Sequence, residues 1–446
     1  MAFASDISSV SLVATSLLVF VDVLAAVLVV LLVRRPRRRP AGRAWSRHVV
    51  IGIPLGLAIG WAAIWLIGDV LDVFEVSPTT VQRIWTSLMV AGVVLAVINL
   101  LFAPARRKVL ALGGAAVFVL AGGLAINRDV GEYRTLGQLM GVEDTQSLAL
   151  PALVQGAAES ATTTDLASRW HAPSDLPARG RVGSVRIAGT HSSFVARDAI
   201  VYLPPAALVK DPPRLPVVIL MTGQPGSPSS VLISGEVQTT LDADAAAHRG
   251  LAPIVVVPDQ LSSADANPLC VDGPLGNSAT YLTKDVPDWI RAHLNVQAGR
   301  SAWSVGGFSQ GGTCAVQFAT SHPDLFGSFI DVSAQLGPRL SSTAATIADG
   351  FGGDESRYRA AQPEAIMAAH GPYPDTVAFF AVGRRDARYT TVMNQVSAAA
   401  GRAQMHVTRY VSPGSGHDWV TASNGFAHGF AVVWSTLGLG TFRGAA

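Results

Sequence analysis

A chain of 446 residues that is 49% hydrophobic and only 14% charged is too apolar to be an ordinary soluble globular protein throughout. Its 33 basic and 31 acidic residues leave a net charge of +2, and the basic groups gather beside apolar runs, which excludes a nucleic-acid-binding footprint.

A bilayer core of ~30 Å requires about 20 apolar helical residues. Four stretches meet that length, at roughly 10–33, 49–68, 84–103 and 109–126, and the first 126 residues read as a four-span transmembrane region. Arg34, Arg35, Arg37, Arg38, Arg39, Arg43 and Arg47 separate the first two spans, and Arg106, Arg107 and Lys108 the last two. Such loops belong on the cytoplasmic side. The middle loop carries Asp69, Asp72 and Glu75 against Arg83, and the first nine residues hold no Lys or Arg. Both termini are therefore expected outside, as in a multi-pass protein of the cell membrane, and the missing basic leader points to a retained helix rather than a cleaved signal. Gly52, Gly56 and Gly60 share one helix face, where a neighbour's backbone can approach closely. Asp22 sits within the first span, where an ionisable group needs a partner or a purpose; Asn99 is a candidate partner.

Residues 127–181 read as a linker with polar stretches such as 159–164, and 182–446 as an extracytoplasmic catalytic domain. Short buried-type strands are expected at 199–203, 216–221, 253–257, 302–306, 377–382 and 405–411, with helical patterns at 285–294 and 310–320. That alternation predicts a mostly parallel sheet with helices on both faces, the α/β-hydrolase class.

Gly307-Phe308-Ser309-Gln310-Gly311 lies where a strand turns into a helix, the context that makes G-x-S-x-G a nucleophile elbow. A hydroxyl nucleophile needs a base, and the base an orienting acid, in the chain order Ser, acid, His. His417, in a glycine-rich loop after the last strand, is the candidate base; His370, His406 and His428 are alternatives. Asp386 follows the preceding strand and is the candidate acid, with Asp354 and Glu355 competing, whereas Asp418 reads as a helix cap. The oxyanion hole would take the backbone N–H of Gln310 and a second from Thr222-Gly223-Gln224-Pro225-Gly226, where Pro225 has none to give and Gln224 or Gly223 must supply it.

From about residue 183 onward the chain resembles the esterase D and mycolyltransferase group of α/β-hydrolases. The resemblance is carried by Ile200-Val201-Tyr202-Leu203-Pro204-Pro205, by Gly307 to Gly312, by Ser321-His322-Pro323-Asp324-Leu325-Phe326, and by Gly414-Ser415-Gly416-His417-Asp418-Trp419. It implies hydrolysis of carboxylic esters or transfer of acyl chains among cell-envelope lipids and sugars, and the multi-span N-terminus is similar to that of actinobacterial envelope proteins. Thr222-Gly223 departs from the His-Gly or Asp-Gly frequent before the group's oxyanion loop. Cys270 and Cys314 are the only cysteines; they are expected to pair and brace the rim of the site, two buried thiols being the alternative. No metal-ligand or haem spacing appears, so no cofactor is expected. The expected partners are the membrane and a lipid or acylated envelope substrate. An acyltransferase, and a non-catalytic scaffold or receptor on a hydrolase fold, are the competing readings.

Overall fold

The computed structural model describes residues 10–34, 42–73, 76–140, 147–150 and 166–443, without the side chains of 42–44. The first nine residues, Arg35 to Arg39, the Arg43 side chain, Glu75 and the polar stretch 159–164 lie outside the described set. The chain forms two units, Met1–Glu143 and Asp144–Ala446.

Four helices of the first unit are long and apolar enough to cross a membrane: Thr15–Val33, Trp45–Val70, Thr80–Phe102 and Ala105–Val130, with mean hydropathy from 2.2 to 3.0. Local chemistry sets their ends. Thr79 and Gln82 form a reciprocal capping box at the start of the third, and Gly131, at φ 76°, ends the fourth. That helix therefore runs past the Asn127 boundary read from sequence, ending at Val130. A Cβ on Gly56 or Gly60 would lie 2.6 Å from the Cα of Ala91 or Ser87 on the third helix, so the glycine stripe is where the two backbones approach. Asn99 does not partner Asp22, because its Nδ2 donates to the carbonyls of Leu32 and Leu95 at 3.2 and 2.8 Å.

The second unit is built on an eight-stranded sheet: β1 (Arg181–Val185), β2 (Ala199–Leu203), β3 (Val217–Met221), β4 (Ile254–Val257), β7 (Trp303–Phe308), β8 (Ser328–Val332), β9 (Val377–Gly383) and β10 (His406–Ser412). A two-residue hairpin, β5 (Asp272–Gly273) with β6 (Gly276–Asn277), lies apart from it. The spatial order is 1-2-4-3-7-8-9-10, antiparallel only where β2 meets β1 and β4. β2, β3, β4, β7 and β8 are buried at every position, as strands covered on both faces must be, while β10 is an edge strand and largely exposed. β8 shows the two layers directly. Ile330 and Val332 meet Gly429 and Gly425 of the helix Trp419–Val433, and Asp331 between them points the other way, toward Gly312 of the helix Gln310–Ser321. The fold is that of an α/β-hydrolase with a mostly parallel central sheet.

Candidate active site

In a parallel sheet the strand C-termini share one edge, and β3, β4, β7, β8, β9 and β10 deliver loops there. Ser309 occupies the turn between β7 and the helix Gln310–Ser321, at φ 55° and ψ −116°. A non-glycine residue held there is strained, and the surroundings must enforce it. They do so by close packing. A Cβ on Gly307 would collide with the backbone of Gly311, and one on Gly311 with the carbonyl oxygen of Met221, so neither position tolerates a side chain. The Ser309 N–H donates to the Val332 carbonyl at 2.8 Å, and its carbonyl accepts the Thr313 N–H at 3.0 Å, tying the turn to β8 and to its own helix.

His417 Nε2 stands 2.9 Å from Ser309 Oγ, and His417 Nδ1 is 3.2 Å from Asp386 Oδ2. The structure thus brings together the three side chains that sequence singled out from loops after β7, β9 and β10. Ser309 and Asp386 are each 8% exposed, so the row is largely shielded from solvent. Asp386 also serves its own helix, because its Oδ1 accepts the Tyr389 N–H at 3.1 Å and caps Ala387–Arg402. Tyr389 lies against the His417 ring at 4.0 Å between centroids, and Phe308 approaches it at 5.0 Å. These aromatic neighbours, which sequence reading passed over, restrict the imidazole orientation. Their only advance signal was adjacency to the motif residues.

The competing candidates are engaged elsewhere. Asp354 accepts the backbone N–H groups of Ser356 and Arg357 as a helix cap, and Glu355 pairs with Arg359 one turn on. His370 and His406 are exposed, and His428 stacks on Tyr410 at 3.8 Å. Asp418 caps its helix through the Thr421 N–H at 2.8 Å.

Gln310 opens the elbow helix, whose N-terminal dipole favours negative charge beside Ser309. The Thr222–Gly226 loop lies against the nucleophile, since a Cβ on Gly223 would be 3.4 Å from Ser309 Cβ. Among the described residues, no hydrogen bond engages the backbone N–H of Gln310 or Gln224. Cys270 and Cys314 are disulfide-bonded, with Cα atoms 5.5 Å apart, which ties the 267–273 loop to the elbow helix.

Beneath the elbow, Asp331 is buried and, among the described residues, accepts one hydrogen bond, from the Ala334 N–H at 2.9 Å. Burial pushes its carboxyl from the ordinary 3.8 up to about 7. An acid raised in the folded state contributes its full stability below the unfolded pKa, and loses that contribution as pH climbs through the folded value. Asp331→Asn keeps an oxygen for Ala334 and cannot ionise. Its stabilising effect is therefore expected to grow by roughly 2–4 kcal/mol from pH ~4 to pH ~8, read as the shift in unfolding midpoint at each pH. A pH-independent difference would show that the Asp331 carboxyl is not raised in the fold.

Residues 195–429 match the Esterase family model, described as "Putative esterase". An uncharacterized protein of Corynebacterium glutamicum is 31% identical over 405 residues, covering 88% of this chain and 91% of its own. Among solved structures, a ferulic acid esterase shares 17% identity with a TM-score of 0.49, covering 58% of this chain and 98% of its own. An S-formylglutathione hydrolase from Agrobacterium tumefaciens shares 19% with a TM-score of 0.48, covering 59% and 97%.

Proposed function

The chain belongs to the Esterase family, and from that premise we propose that it is a membrane-anchored serine hydrolase in which Ser309, His417 and Asp386 cleave carboxylic esters of lipid or cell-envelope substrates. One observation carries the chemistry: the continuous row Asp386 Oδ2, His417, Ser309 Oγ, with separations of 3.2 and 2.9 Å. His417 Nε2 takes the hydroxyl proton as Oγ attacks the ester carbonyl. The carbonyl oxygen becomes an oxyanion facing the N–H groups of Gln310 and Gln224. Collapse expels the alcohol, which receives the proton from His417, and leaves an acyl group on Ser309. Water, deprotonated by the same imidazole, then attacks the acyl carbonyl; the acid departs and Ser309 regains its proton. Asp386 keeps Nδ1 protonated and the ring aligned, and stabilises the imidazolium that forms in each step.

Two features support the substrate class. Four helices long and apolar enough to span a bilayer precede the hydrolase unit in the same chain, which would keep the site near membrane-borne esters. Ile233, Leu336 and Val420 are 39, 42 and 46% exposed on segments that follow β3, β8 and β10, and offer apolar contact to an acyl chain. The basic loops at Arg34 to Arg47 and Arg106 to Lys108 favour an extracytoplasmic site. Transfer of the acyl group to a sugar or lipid hydroxyl would use the same acyl-enzyme and differ only in the acceptor.

A fluorophosphonate probe applied to membranes carrying the full chain tests the reading. The parent protein should label and Ser309→Ala should not. A folded parent that takes no label, or a Ser309→Ala variant labelled equally, would overturn it. For the lipid class, hydrolysis of p-nitrophenyl esters should quicken as the acyl chain lengthens from acetyl to octanoyl.

A further inference from the structure

We infer that Gln260 is a positioning residue of the oxyanion site, fixing the spacing between its two backbone donors; this rests on the serine-hydrolase reading above. Gln260 lies in the loop just after β4 and is completely buried. Its amide nitrogen donates to the Thr222 carbonyl at 2.7 Å and to Gln310 Oε1 at 3.0 Å. Thr222 stands just before Gly223 and Gln224, and Gln310 immediately follows Ser309. One side chain therefore joins the loop carrying one proposed donor to the residue carrying the other. Because a backbone carbonyl is an obligate acceptor, the bond to Thr222 also decides which end of the Gln260 amide is nitrogen.

The neighbouring residue holds the loop's far end. Asp259, also fully buried, accepts Arg197 Nε at 3.0 Å and Nη2 at 2.8 Å, together with the backbone N–H groups of Arg197 and Leu261 at 2.8 and 3.1 Å. Arg197 Nη2 in turn donates to the Gly226 carbonyl at 3.0 Å. Consecutive residues after β4 thus hold the carbonyls at both ends of Thr222–Gly226. On the other side, Gln310 Nε2 reaches Asn267 Oδ1 at 3.3 Å and Cys270 Sγ at 3.6 Å, linking the same unit to the disulfide-bonded loop.

Stability alone does not account for a glutamine here. Among the described residues, its Oε1 is buried without a partner, and a buried unsatisfied amide oxygen is costly where an apolar side chain of the same shape would not be. What the amide provides is distance control. Oxyanion donors act when about 2.7–3.1 Å from the developing charge, and a displacement of about 1 Å costs on the order of 10²-fold.

The experiment uses the purified full chain in detergent micelles, with p-nitrophenyl butyrate as substrate and an arylboronic acid as tetrahedral adduct of Ser309. Gln260→Met keeps the shape and removes both donors. It should lower kcat by ~30- to 100-fold, leave KM within about twofold, and weaken the boronate in proportion to kcat/KM. Gln310→Met, which retains its backbone N–H, should reproduce that pattern, and the double variant should be no slower than the more impaired single one. Should Gln260→Met fail to fold, Gln310→Met decides alone. A folded variant with parental kcat, a loss confined to KM, unchanged boronate affinity, or additive losses in the double variant would each overturn the inference. Ser309→Ala is assayed in parallel. If it keeps parental activity, the hydrolase reading itself has failed; if it is inactive while both glutamine variants behave as parent, only this inference has.

Discussion

Replacing Ser309 by Ala is expected to lower kcat for a soluble ester by about 10⁴- to 10⁶-fold, with His417→Ala nearly as severe and the double variant no worse than either. The non-additivity follows from the geometry. Without the hydroxyl, the imidazole 2.9 Å away has no proton to accept; without the imidazole, the hydroxyl stays protonated and weak. The residual rate reports the oxyanion donors alone, which neither substitution touches. Gly307 and Gly311, not the hydroxyl, set the backbone at Ser309, so the Ser309→Ala thermal midpoint should stay close to the parent value. The measurement is steady-state hydrolysis of p-nitrophenyl butyrate, with parent and variants compared at matched folded fraction. A Ser309→Ala variant within about tenfold of the parent would move the nucleophile elsewhere.

Asp386→Asn and Asp386→Ala are expected to separate the two roles of that carboxylate. Oδ2 faces His417 Nδ1 at 3.2 Å, and Oδ1 caps the helix Ala387–Arg402 through the Tyr389 N–H at 3.1 Å. Asn is as good an N-cap as Asp, so Asp386→Asn should keep the helix and the thermal midpoint. An amide nevertheless cannot balance the imidazolium and can favour the wrong tautomer, and kcat should fall by about 10³- to 10⁴-fold. Asp386→Ala should lose a comparable factor in kcat and also ~1 kcal/mol of stability with the cap. Parallel thermal melts and kinetics decide. An Asn variant with parental kcat would exclude Asp386 as the orienting acid, and Asp354 or Glu355 would not replace it, since both are occupied at another helix.

Much of the fold is legible in the sequence. The strands Val217–Met221, Ile254–Val257 and Val377–Gly383 announce themselves as unbroken apolar runs, because a strand covered on both faces leaves no position for a polar side chain. β8 was not legible. Ser328-Phe329-Ile330-Asp331-Val332 carries two polar residues whose burial depends on partners in the fold, the Asp331 carboxylate on the Ala334 N–H and β8 itself on its pairing between β7 and β9. The end of the fourth helix is hidden from hydropathy for a related reason. Hydropathy stops near Asn127, but backbone hydrogen bonding continues to Val130 and is ended by the left-handed Gly131.

By itself the sequence pointed to the class of chemistry and singled out a candidate serine, a candidate histidine and a short list of acids. G-x-S-x-G at a strand-to-helix turn, an acid after one later strand and a histidine after the next are local patterns, written in residues adjacent to the elements that display them. Only the tertiary structure decided which acid faces His417, where Asn99 directs its amide, and how Gln260 and Arg197 hold the loop beside Ser309. Those relations join residues 31, 67, 38 and 29 positions apart. No local periodicity encodes them: the Asn99 bond arises only when two helices of the first unit pack, and the other three only when parallel strands align their C-terminal ends.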